Sequence, residues 1–332
     1  MMGKNPSIAV LGSGSWATAL VKILSQNNDR VGWWVRSDET ILHVQIHHHN
    51  PKYLSEVELD VDKLDMDSDI RAVAEEADIL VLAIPSAFLA EAIEPIRDLL
   101  PSKNVFSAVK GIVPQTHQIV GEYLHDSFGL SYQQFGAVLG PCHAEEVALE
   151  RLSYLTIASQ NDQLARIMAK KVSGPAIQTN CTDDIYGTEY ASVLKNIYAI
   201  AAGICHGLGY GDNFQAVLVS NALVEMKRFI KAVEPMKRDI SRTAYSGDLF
   251  VTMYSPFSRN RTLGNLIGKG YTVRSAMLEM SMVAEGYYAT KLIRDVKKSR
   301  EVRMPIASAV YKILYEGKPP KKVVRELAEK LK

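Results

Sequence analysis

Residues 7–20 read SIAVLGSGSWATAL and carry the signal that decides the fold. The apolar run at 7–11 is typical of a buried strand, and the segment after it has the apolar spacing of a helix. Between them lies a turn that contains Gly12 and Gly14. In this context the first glycine permits the tight turn, and the second lets the backbone approach a pyrophosphate at the positive end of the helix. The stretch predicts a dinucleotide site; a structural turn without a ligand is the alternative.

The rest of the chain changes character near its middle. Short apolar runs predict further buried strands at residues 31–35, 79–84, 105–109, 137–139, 154–158 and 176–179. Strand, helix, strand in that order implies a parallel sheet with right-handed crossovers. Helical periodicity then dominates at residues 183–206, 216–232, 273–299 and 307–315. We expect an α/β protein with an N-terminal Rossmann-type doubly wound sheet at residues 1–181 and an all-α C-terminal domain at residues 182–332.

Composition and charge exclude several classes of protein. The chain of 332 residues is 47% hydrophobic and 23% charged, as soluble globular proteins are. A net charge of +1 creates no global field for nucleic acid or an anionic membrane. Cys142, Cys181 and Cys205 are too few and too scattered for a disulfide framework, which favours a reducing compartment. Without a recognisable signal peptide or membrane-spanning run, we expect a cytoplasmic protein.

The tract His47-His48-His49 invites a metal site. It precedes Asn50-Pro51 and has no carboxylate or cysteine at ligand spacing. We therefore interpret it as a solvated loop and predict no metal. The apolar surface of the helical half is compatible with a homodimer.

The residue after the second strand bears on the choice of cofactor. A NAD-specific site usually places Asp or Glu there to bind the ribose 2′-hydroxyl. Here the strand at 31–35 is followed by Arg36. Arginine cannot accept that hydrogen bond, but it pairs with a 2′-phosphate or stacks on adenine. We expect tolerance of NADP as well as NAD; a solvated surface arginine is the alternative.

Lys195 is the only charged residue in the stretch at 190–204, which reads YASVLKNIYAIAAGI. Desolvation in an apolar helix lowers the pKa of a lysine toward neutrality, as a proton donor to a carbonyl oxygen requires. The alternative is a lysine that snorkels from the edge of the helix.

Two further segments have the composition of ligand sites. Ser258-Arg259-Asn260-Arg261 precedes a helical stretch that begins near Thr262. Two arginines at a helix N-terminus form a natural phosphate receptor, although a solvated basic loop has the same composition. Residues 140–146 lie where a strand ends and a helix begins, at the sheet edge where open α/β sheets bind ligands.

Together these segments resemble glycerol-3-phosphate dehydrogenase of the bacterial NAD(P)-dependent type. The matching motifs run in family order over nearly the whole chain: the glycine turn with Trp16, Val109-Lys110-Gly111, the GPxxAEE segment at Gly140, Leu194-Lys195-Asn196, Gly247-Asp248-Leu249, Ser258-Arg259-Asn260-Arg261, Glu285-Gly286 and Met304-Pro305. The family usually has Ser or Thr where this chain has Cys142, and a thiol is a poorer hydrogen-bonding group than a hydroxyl.

The resemblance implies reversible reduction of dihydroxyacetone phosphate to sn-glycerol 3-phosphate, the backbone precursor of phospholipids, with NAD or NADP. It implies that Lys195 donates and accepts the proton and that Lys110 polarises the carbonyl or holds substrate oxygens. The implied cofactor-binding residues are Gly12, Gly14, Ser15, Trp16, Arg36, Lys110, Ala144, Arg259 and Glu285. The implied substrate-binding residues are Lys110, Gly140, Cys142, Lys195, Asp248, Ser258, Arg259 and Asn260.

Two other classes of function are considered. One is a 3-hydroxyacid dehydrogenase or ketopantoate-reductase-like enzyme of the same two-domain architecture, which would act on a carboxylate. Arg259 and Arg261 at one helix terminus favour a phosphate instead. The other is a non-catalytic dinucleotide sensor, which would have no reason to retain a lone charge at Lys195.

Overall fold

The computed structural model describes residues 5–280 and 284–332, except for the side chain of Lys298. The chain divides into two compact units, of which the first comprises Met1–Val109 and Gln118–Ile185. The second comprises Lys110–His117 and Tyr186–Lys332. This division lies four residues after the predicted boundary at 181/182, and it assigns Lys110–His117 to the helical unit.

The first unit is built on an eight-stranded sheet. In the part of the chain that the structure describes, the strands are β1 (Ile8–Leu11), β2 (Val31–Trp34), β3 (Leu64–Asp67), β4 (Ile79–Leu82), β5 (Asn104–Ser107), β6 (Ile112–Val113), β7 (Gln118–Ile119), β8 (Phe135–Leu139), β9 (Ser153–Ser159) and β10 (Ile177–Thr182). The sheet order is β10-β9-β8-β5-β4-β1-β2-β3, and the two-residue strands β6 and β7 lie outside it. The strand order reverses between β1 and β4, the switch point at which such sheets bind ligands.

Two strands depart from the predicted parallel sheet. Strand β9 pairs antiparallel with β8, and β10 pairs parallel with β9. The connection from β8 to β9 contains only the five-residue helix Ala144–Ala148, which is about 7.5 Å long. A strand of five residues such as β8 spans about 16 Å. The short helix cannot carry the chain back along β8, so β9 runs in the opposite direction.

The edge strand β3 was absent from the sequence prediction. Its sequence is LDMD, and its buried and exposed residues alternate. Apolar runs identify strands that are buried on both faces, such as β1 and β4. A short acidic edge strand gives no such signal.

Helices cover the sheet in the first unit and make up most of the second. In the described residues they are α1 (Ser15–Asn27), α2 (Asp38–His47), α3 (Ile70–Glu75), α4 (Ser86–Ile93), α5 (Val120–Phe128), α6 (Ala144–Ala148), α7 (Asp162–Val172), α8 (Ile185–Gly207), α9 (Asp212–Val233), α10 (Asp248–Tyr254), α11 (Arg259–Gly268), α12 (Val273–Glu279), α13 (Glu285–Ser299), α14 (Pro305–Tyr315) and α15 (Pro320–Ala328). The predicted fold class is confirmed. None of these helices is both long and apolar enough to cross a bilayer.

The predicted helical segment at 273–299 forms two helices rather than one. Helix α12 ends at Glu279, and Met280 has extended backbone angles. Helix α13 begins at Glu285. Residues 281–283, which the prediction also assigned to a helix, lie outside the described residues.

Helices α8 and α11 approach each other backbone to backbone at four glycines. A Cβ added to Gly203 of α8 would lie 2.8 Å from the backbone nitrogen of Asn265. A Cβ added to Gly268 of α11 would lie 2.9 Å from Cα of Gly207. Only glycine permits this separation, and Gly264 on α11 is equally close to α8. Helix α11 is thereby held against the C-terminal part of α8.

The histidine tract begins as the end of α2 rather than as a loop, whereas His48 and His49 lie in the bend that follows, and His47 and His48 are exposed as the sequence predicted. His47 is the last residue of α2, and His48 has a left-handed backbone conformation that ends the helix. The rings of His43, His47 and His49 cluster with centroids 4.4, 4.9 and 6.1 Å apart. Burial, with the nearby charges of His47 and His49, lowers the pKa of His43. Within residues 5–280 and 284–332, no three His, Cys, Asp or Glu side chains are arranged to hold a metal ion.

Candidate active site

The glycine turn of the first unit has the geometry that a pyrophosphate requires. Gly12 has φ of 128°, and a Cβ there would lie 2.5 Å from the carbonyl oxygen of Ala83. A Cβ at Gly14 would meet nothing within 4 Å, so the backbone is open to a ligand. Helix α1 begins with Ser15 and Trp16, and no side chain caps its N-terminus. The residues present therefore fit a dinucleotide whose phosphates meet this helix end.

Two side chains that the sequence analysis did not single out hold the carbonyl groups of this turn. Nε1 of Trp33, on β2, donates to the carbonyl oxygen of Gly12 at 2.7 Å. Nδ2 of Asn50 donates to the carbonyl oxygen of Ser13 at 3.1 Å and to Oγ1 of Thr18 at 3.0 Å. The turn and the first helical turn after it are therefore anchored from two sides.

Asn50 uses both ends of its amide. Its Oδ1 accepts hydrogen bonds from the backbone nitrogens of Lys52 and Tyr53 at 3.0 and 3.1 Å. The side chain is 0% exposed. An asparagine before a proline predicts a turn in the sequence. The hydrogen bond from Asn50 to Ser13 joins residues 37 positions apart, so no local sequence pattern predicts it.

Arg36 lies beside the same turn. The backbone nitrogen of Gly12 donates to the carbonyl oxygen of Trp34 at 3.3 Å, and Arg36 follows two residues later. Its side chain is exposed. An exposed guanidinium next to the dinucleotide turn is available to a ligand phosphate.

The segment after β8 places three further predicted residues together. Gly140 has φ of 120°, and a Cβ there would lie 2.7 Å from the carbonyl oxygen of Tyr154. Sγ of Cys142 donates to the carbonyl oxygen of Gly140 at 3.1 Å. The residue Cys142 is 5% exposed. Ala144 is the first residue of α6. The Cys142 thiol is therefore directed at its own chain in this structure.

In the second unit, Lys195 forms a buried ion pair with Asp248. Its Nζ donates to Oδ1 of Asp248, and the side chains are 4% and 2% exposed. Among the described residues, the other oxygen of Asp248 has no hydrogen-bond partner. The snorkelling alternative for Lys195 is wrong, because the side chain is buried. Asp248 was predicted to bind substrate, and its pairing with Lys195 was not predicted from the sequence.

A chain of amide hydrogen bonds connects four segments of the second unit. Nδ2 of Asn196, next to Lys195 on α8, donates to the carbonyl oxygen of Lys110 at 2.9 Å. Nδ2 of Asn260 donates to Oδ1 of Asn196 at 2.9 Å. Oδ1 of Asn260 accepts from the backbone nitrogen of Gly286 at 2.9 Å. The network fixes the backbone of Lys110 beside α8, α11 and α13. No role for Asn196 was predicted from the sequence.

The predicted phosphate receptor lies at the start of α11. Ser258 caps the helix, because its Oγ accepts from the backbone nitrogen of Arg261 at 3.3 Å. The helix therefore begins at Arg259, three residues before the predicted start at Thr262. Ser258 and Asn260 are buried and Arg259 is half-buried, which contradicts a solvated basic loop. Glu285 is the half-buried first residue of α13.

Comparison with family models covers most of the chain. The model of the NAD-dependent glycerol-3-phosphate dehydrogenase N-terminus matches residues 7–165. The model of the corresponding C-terminus matches residues 184–325.

Individual relatives agree with the family models. Glycerol-3-phosphate dehydrogenase (NAD(P)+) 2 of Salinibacter ruber is 37% identical over 97% of this chain and 94% of its own. The glycerol-3-phosphate dehydrogenase (NAD(P)+) of Staphylococcus haemolyticus is 35% identical over 96% of this chain and 97% of its own. A crystal structure of glycerol-3-phosphate dehydrogenase from Coxiella burnetii superposes with a TM-score of 0.91 at 28% identity. It covers 98% of this chain and 99% of the Coxiella chain.

Proposed function

Because the chain belongs to the family of NAD-dependent glycerol-3-phosphate dehydrogenases, we propose that it interconverts dihydroxyacetone phosphate and sn-glycerol 3-phosphate with NAD(P). The enzyme is an oxidoreductase that uses NAD or NADP, as its relatives are named. The alternative of a keto-acid reductase of the same architecture is not favoured.

The observation that carries the proposal is the buried pair of Lys195 and Asp248. Removing two charges from water costs several kcal/mol per ion, of which the attraction between them repays a part. A buried pair of this kind, in a stretch (190–204) that has no other charged residue, marks Lys195 as a candidate for moving a proton. A non-catalytic sensor would need only the glycine turn.

We assign the chemical roles from residue type and placement. Lys195 gives its proton to the ketone oxygen during reduction and takes it back during oxidation. Asp248 holds the Lys195 ammonium in place. The ammonium of Lys110 stabilises negative charge as it develops on the same oxygen. A bound reduced nicotinamide supplies the hydride.

The remaining site residues bind and orient. Ser258, Arg259 and Asn260 hold the substrate phosphate, whose binding energy fixes the position of the carbonyl carbon. The other proposed substrate contacts are Gly140 and Cys142. The proposed cofactor contacts are Gly12, Gly14, Ser15, Trp16, Arg36, Lys110, Ala144, Arg259 and Glu285.

The cellular setting is part of the same proposal. We propose a cytoplasmic enzyme that supplies sn-glycerol 3-phosphate to phospholipid synthesis. Its three cysteines are all thiols rather than disulfides, which supports a reducing compartment. We also propose that the chain forms a homodimer, which sedimentation equilibrium tests directly.

The deciding experiment follows NADH and NADPH oxidation with two substrates, dihydroxyacetone phosphate and 2-dehydropantoate. We expect turnover with dihydroxyacetone phosphate and none above background with the keto acid. Turnover of the keto acid alone would overturn the proposed substrate, and turnover of neither with intact NADH binding would indicate a sensor.

A further inference from the structure

Three C-terminal helices of the second unit line two cavities of about 240 Å³ each, both of which are open to solvent. The first lies between α13 and α14, and its lining includes Arg294, Tyr311 and Glu316. The second also involves α15, and its lining includes Arg303, Glu326 and Lys330. Both cavities share three lining residues, Lys297, Ser308 and Lys312. None of the residues named for the active site lines either one.

The two cavities carry an excess of positive charge. Five cationic side chains line them, together with two carboxylates: Arg294, Lys297, Arg303, Lys312 and Lys330 against Glu316 and Glu326. The local excess is three positive charges, whereas the whole chain carries a net charge of only +1. Clustered cations repel one another, so an anion bound among them relieves that repulsion.

The carboxylate of the first cavity is already engaged. Glu316 lies 3.7 Å from the guanidinium of Arg294, which also stands 3.8 Å from the ring centroid of Tyr311. In the second cavity, Arg303, Lys312 and Lys330 form no ion pair within 4 Å among the described residues. These three cationic side chains, which form no ion pair in the described part of the chain, all line the second cavity.

The hydroxyl of Ser308 in the shared wall is already engaged, because it donates to the carbonyl oxygen of Met304 at 2.5 Å and accepts from Lys297. Nζ of Lys297 donates to Oγ of Ser308 at 2.5 Å. The first cavity adds an aromatic edge at Tyr311 and apolar side chains at Ile293 and Ala307. The second cavity therefore suits an anionic group, and the first cavity suits a small organic group.

We propose that these cavities form a binding site for a small phosphate ester. Its phosphoryl group lies among Arg303, Lys312 and Lys330, where lysine and arginine supply charge-assisted hydrogen bonds. Its organic part lies beside Tyr311. Because each cavity is below the roughly 300 Å³ of ordinary small-molecule pockets, the organic part is no larger than a sugar or a single ring. The site goes beyond the proposed function and does not depend on it.

The test uses phenyl phosphate as the probe and isothermal titration calorimetry on the full chain. We expect Lys312→Glu to weaken binding at least tenfold relative to Lys318→Glu, a matched charge reversal. Lys318 is exposed and lines neither cavity. An equal dissociation constant for the two variants would overturn the proposal. Neither variant alters Ser258, Arg259 or Asn260, so binding there cancels in the comparison.

A second pair keeps the test valid if Lys312→Glu does not fold. Arg303→Glu is compared with Arg325→Glu, because both arginines are exposed and only Arg303 lines a cavity. The same tenfold difference is expected, and no difference would overturn the site. Inorganic phosphate tests the organic part: we expect it to bind at least threefold more weakly than phenyl phosphate, and equal affinity would contradict the place given to Tyr311.

Discussion

The ammonium of Lys195 donates a hydrogen bond to the carboxylate of Asp248, a residue 53 positions later in the chain, and both side chains are buried. The pair couples the middle of α8 to the first residue of α10, directly after the single turn of π-helix at Thr243–Gly247. Such π-helical turns are frequent at functional sites. We therefore expect changes to the pair to alter both the activity and the stability of the second unit.

We expect Lys195→Ala to lower kcat by roughly 10²- to 10⁴-fold, the loss typical of removing a general acid, while NADH still binds. Steady-state kinetics and a fluorescence titration with NADH measure the two effects. A reduction in kcat below about tenfold would remove Lys195 from the mechanism.

Lys195→Ala also leaves the carboxylate of Asp248 buried without its partner. This costs about 3–5 kcal/mol of folding free energy, which urea unfolding detects. The double variant Lys195→Ala/Asp248→Asn removes the uncompensated charge and should recover stability without recovering activity. Recovery of both would show that the loss in the single variant came from unfolding alone.

The anchoring of Ser13 by Asn50 leads to a prediction about cofactor affinity. Asn50→Ala removes the hydrogen bond that holds the carbonyl group of Ser13. We expect the dissociation constant of NADH to rise about tenfold, because that factor corresponds to the net free energy of one hydrogen bond. The KM for dihydroxyacetone phosphate should change less than threefold. Fluorescence titration and steady-state kinetics provide the two numbers.

Asn28→Ala is the matched control for Asn50→Ala. Asn28 is also buried, and it bonds Leu24 and Lys171 at the opposite end of α1. Both variants should lose about 1–3 kcal/mol of stability, but only Asn50→Ala should weaken NADH binding. Equal effects of the two variants on NADH binding would reduce Asn50 to a structural role.

Arg36 should determine how efficiently the enzyme uses NADPH, the cofactor that carries a 2′-phosphate. Loss of a charge-assisted hydrogen bond costs about 1.5–3 kcal/mol, so Arg36→Gln should lower kcat/KM for NADPH by roughly 10- to 100-fold. The value for NADH should change less than threefold. Arg30→Gln, at the other end of β2 and paired with Asp65, is the control and should leave both values unchanged. A parallel loss with both cofactors would contradict a role at the 2′-position.

Glu225 makes the stability of the second unit dependent on pH. It lies on α9 and accepts hydrogen bonds from the backbone nitrogens of Ile306 and Ala307 at 2.8 and 2.9 Å. Burial raises the pKa of its carboxyl from 4.5 to about 7, against the opposing effect of those bonds. The folded chain therefore holds this proton more tightly than the unfolded chain does. The resulting stabilisation is fully present below about pH 4.5 and is lost as pH rises through about 7.

Glu225→Gln keeps an acceptor at this position and removes the titration. Between roughly pH 5 and 8, the free energy of unfolding of the variant should gain about 2–4 kcal/mol relative to the unsubstituted chain. Urea unfolding across this range measures the difference. Glu329→Gln, an exposed carboxylate after α15, should show no such trend. A constant difference between the Glu225→Gln variant and the unsubstituted chain at all pH values would contradict the assignment.

Local sequence patterns predicted much of the fold because they record burial. The run at 79–84 became β4, since strands covered on both faces are continuously apolar. The direction of β9 could not be predicted, because it depends on how far the short helix α6 carries the chain. The break between α12 and α13 was missed because both helices have the same periodicity.

Some residues of the candidate site could also be predicted from the sequence, and others could not. Gly12, Arg36 and Lys195 were identified because each departs from a local pattern: a glycine after a strand, a cation where an acid is usual, and the single charge in an apolar stretch at 190–204. Asn50 and Asn196 were not identified as site residues, because their partners Ser13 and Lys110 are distant in sequence.

The sequence by itself determined the fold class, the dinucleotide turn and the family, because these depend on apolar periodicity and on motifs read in chain order. Only the tertiary structure decided that Lys195 is buried against Asp248, that Asn196 and Asn260 tie Lys110 to three helices, and that Asn50 anchors the glycine turn. Hydrogen bonds and ion pairs act over about 3–4 Å, so they depend on which distant residues packing brings together.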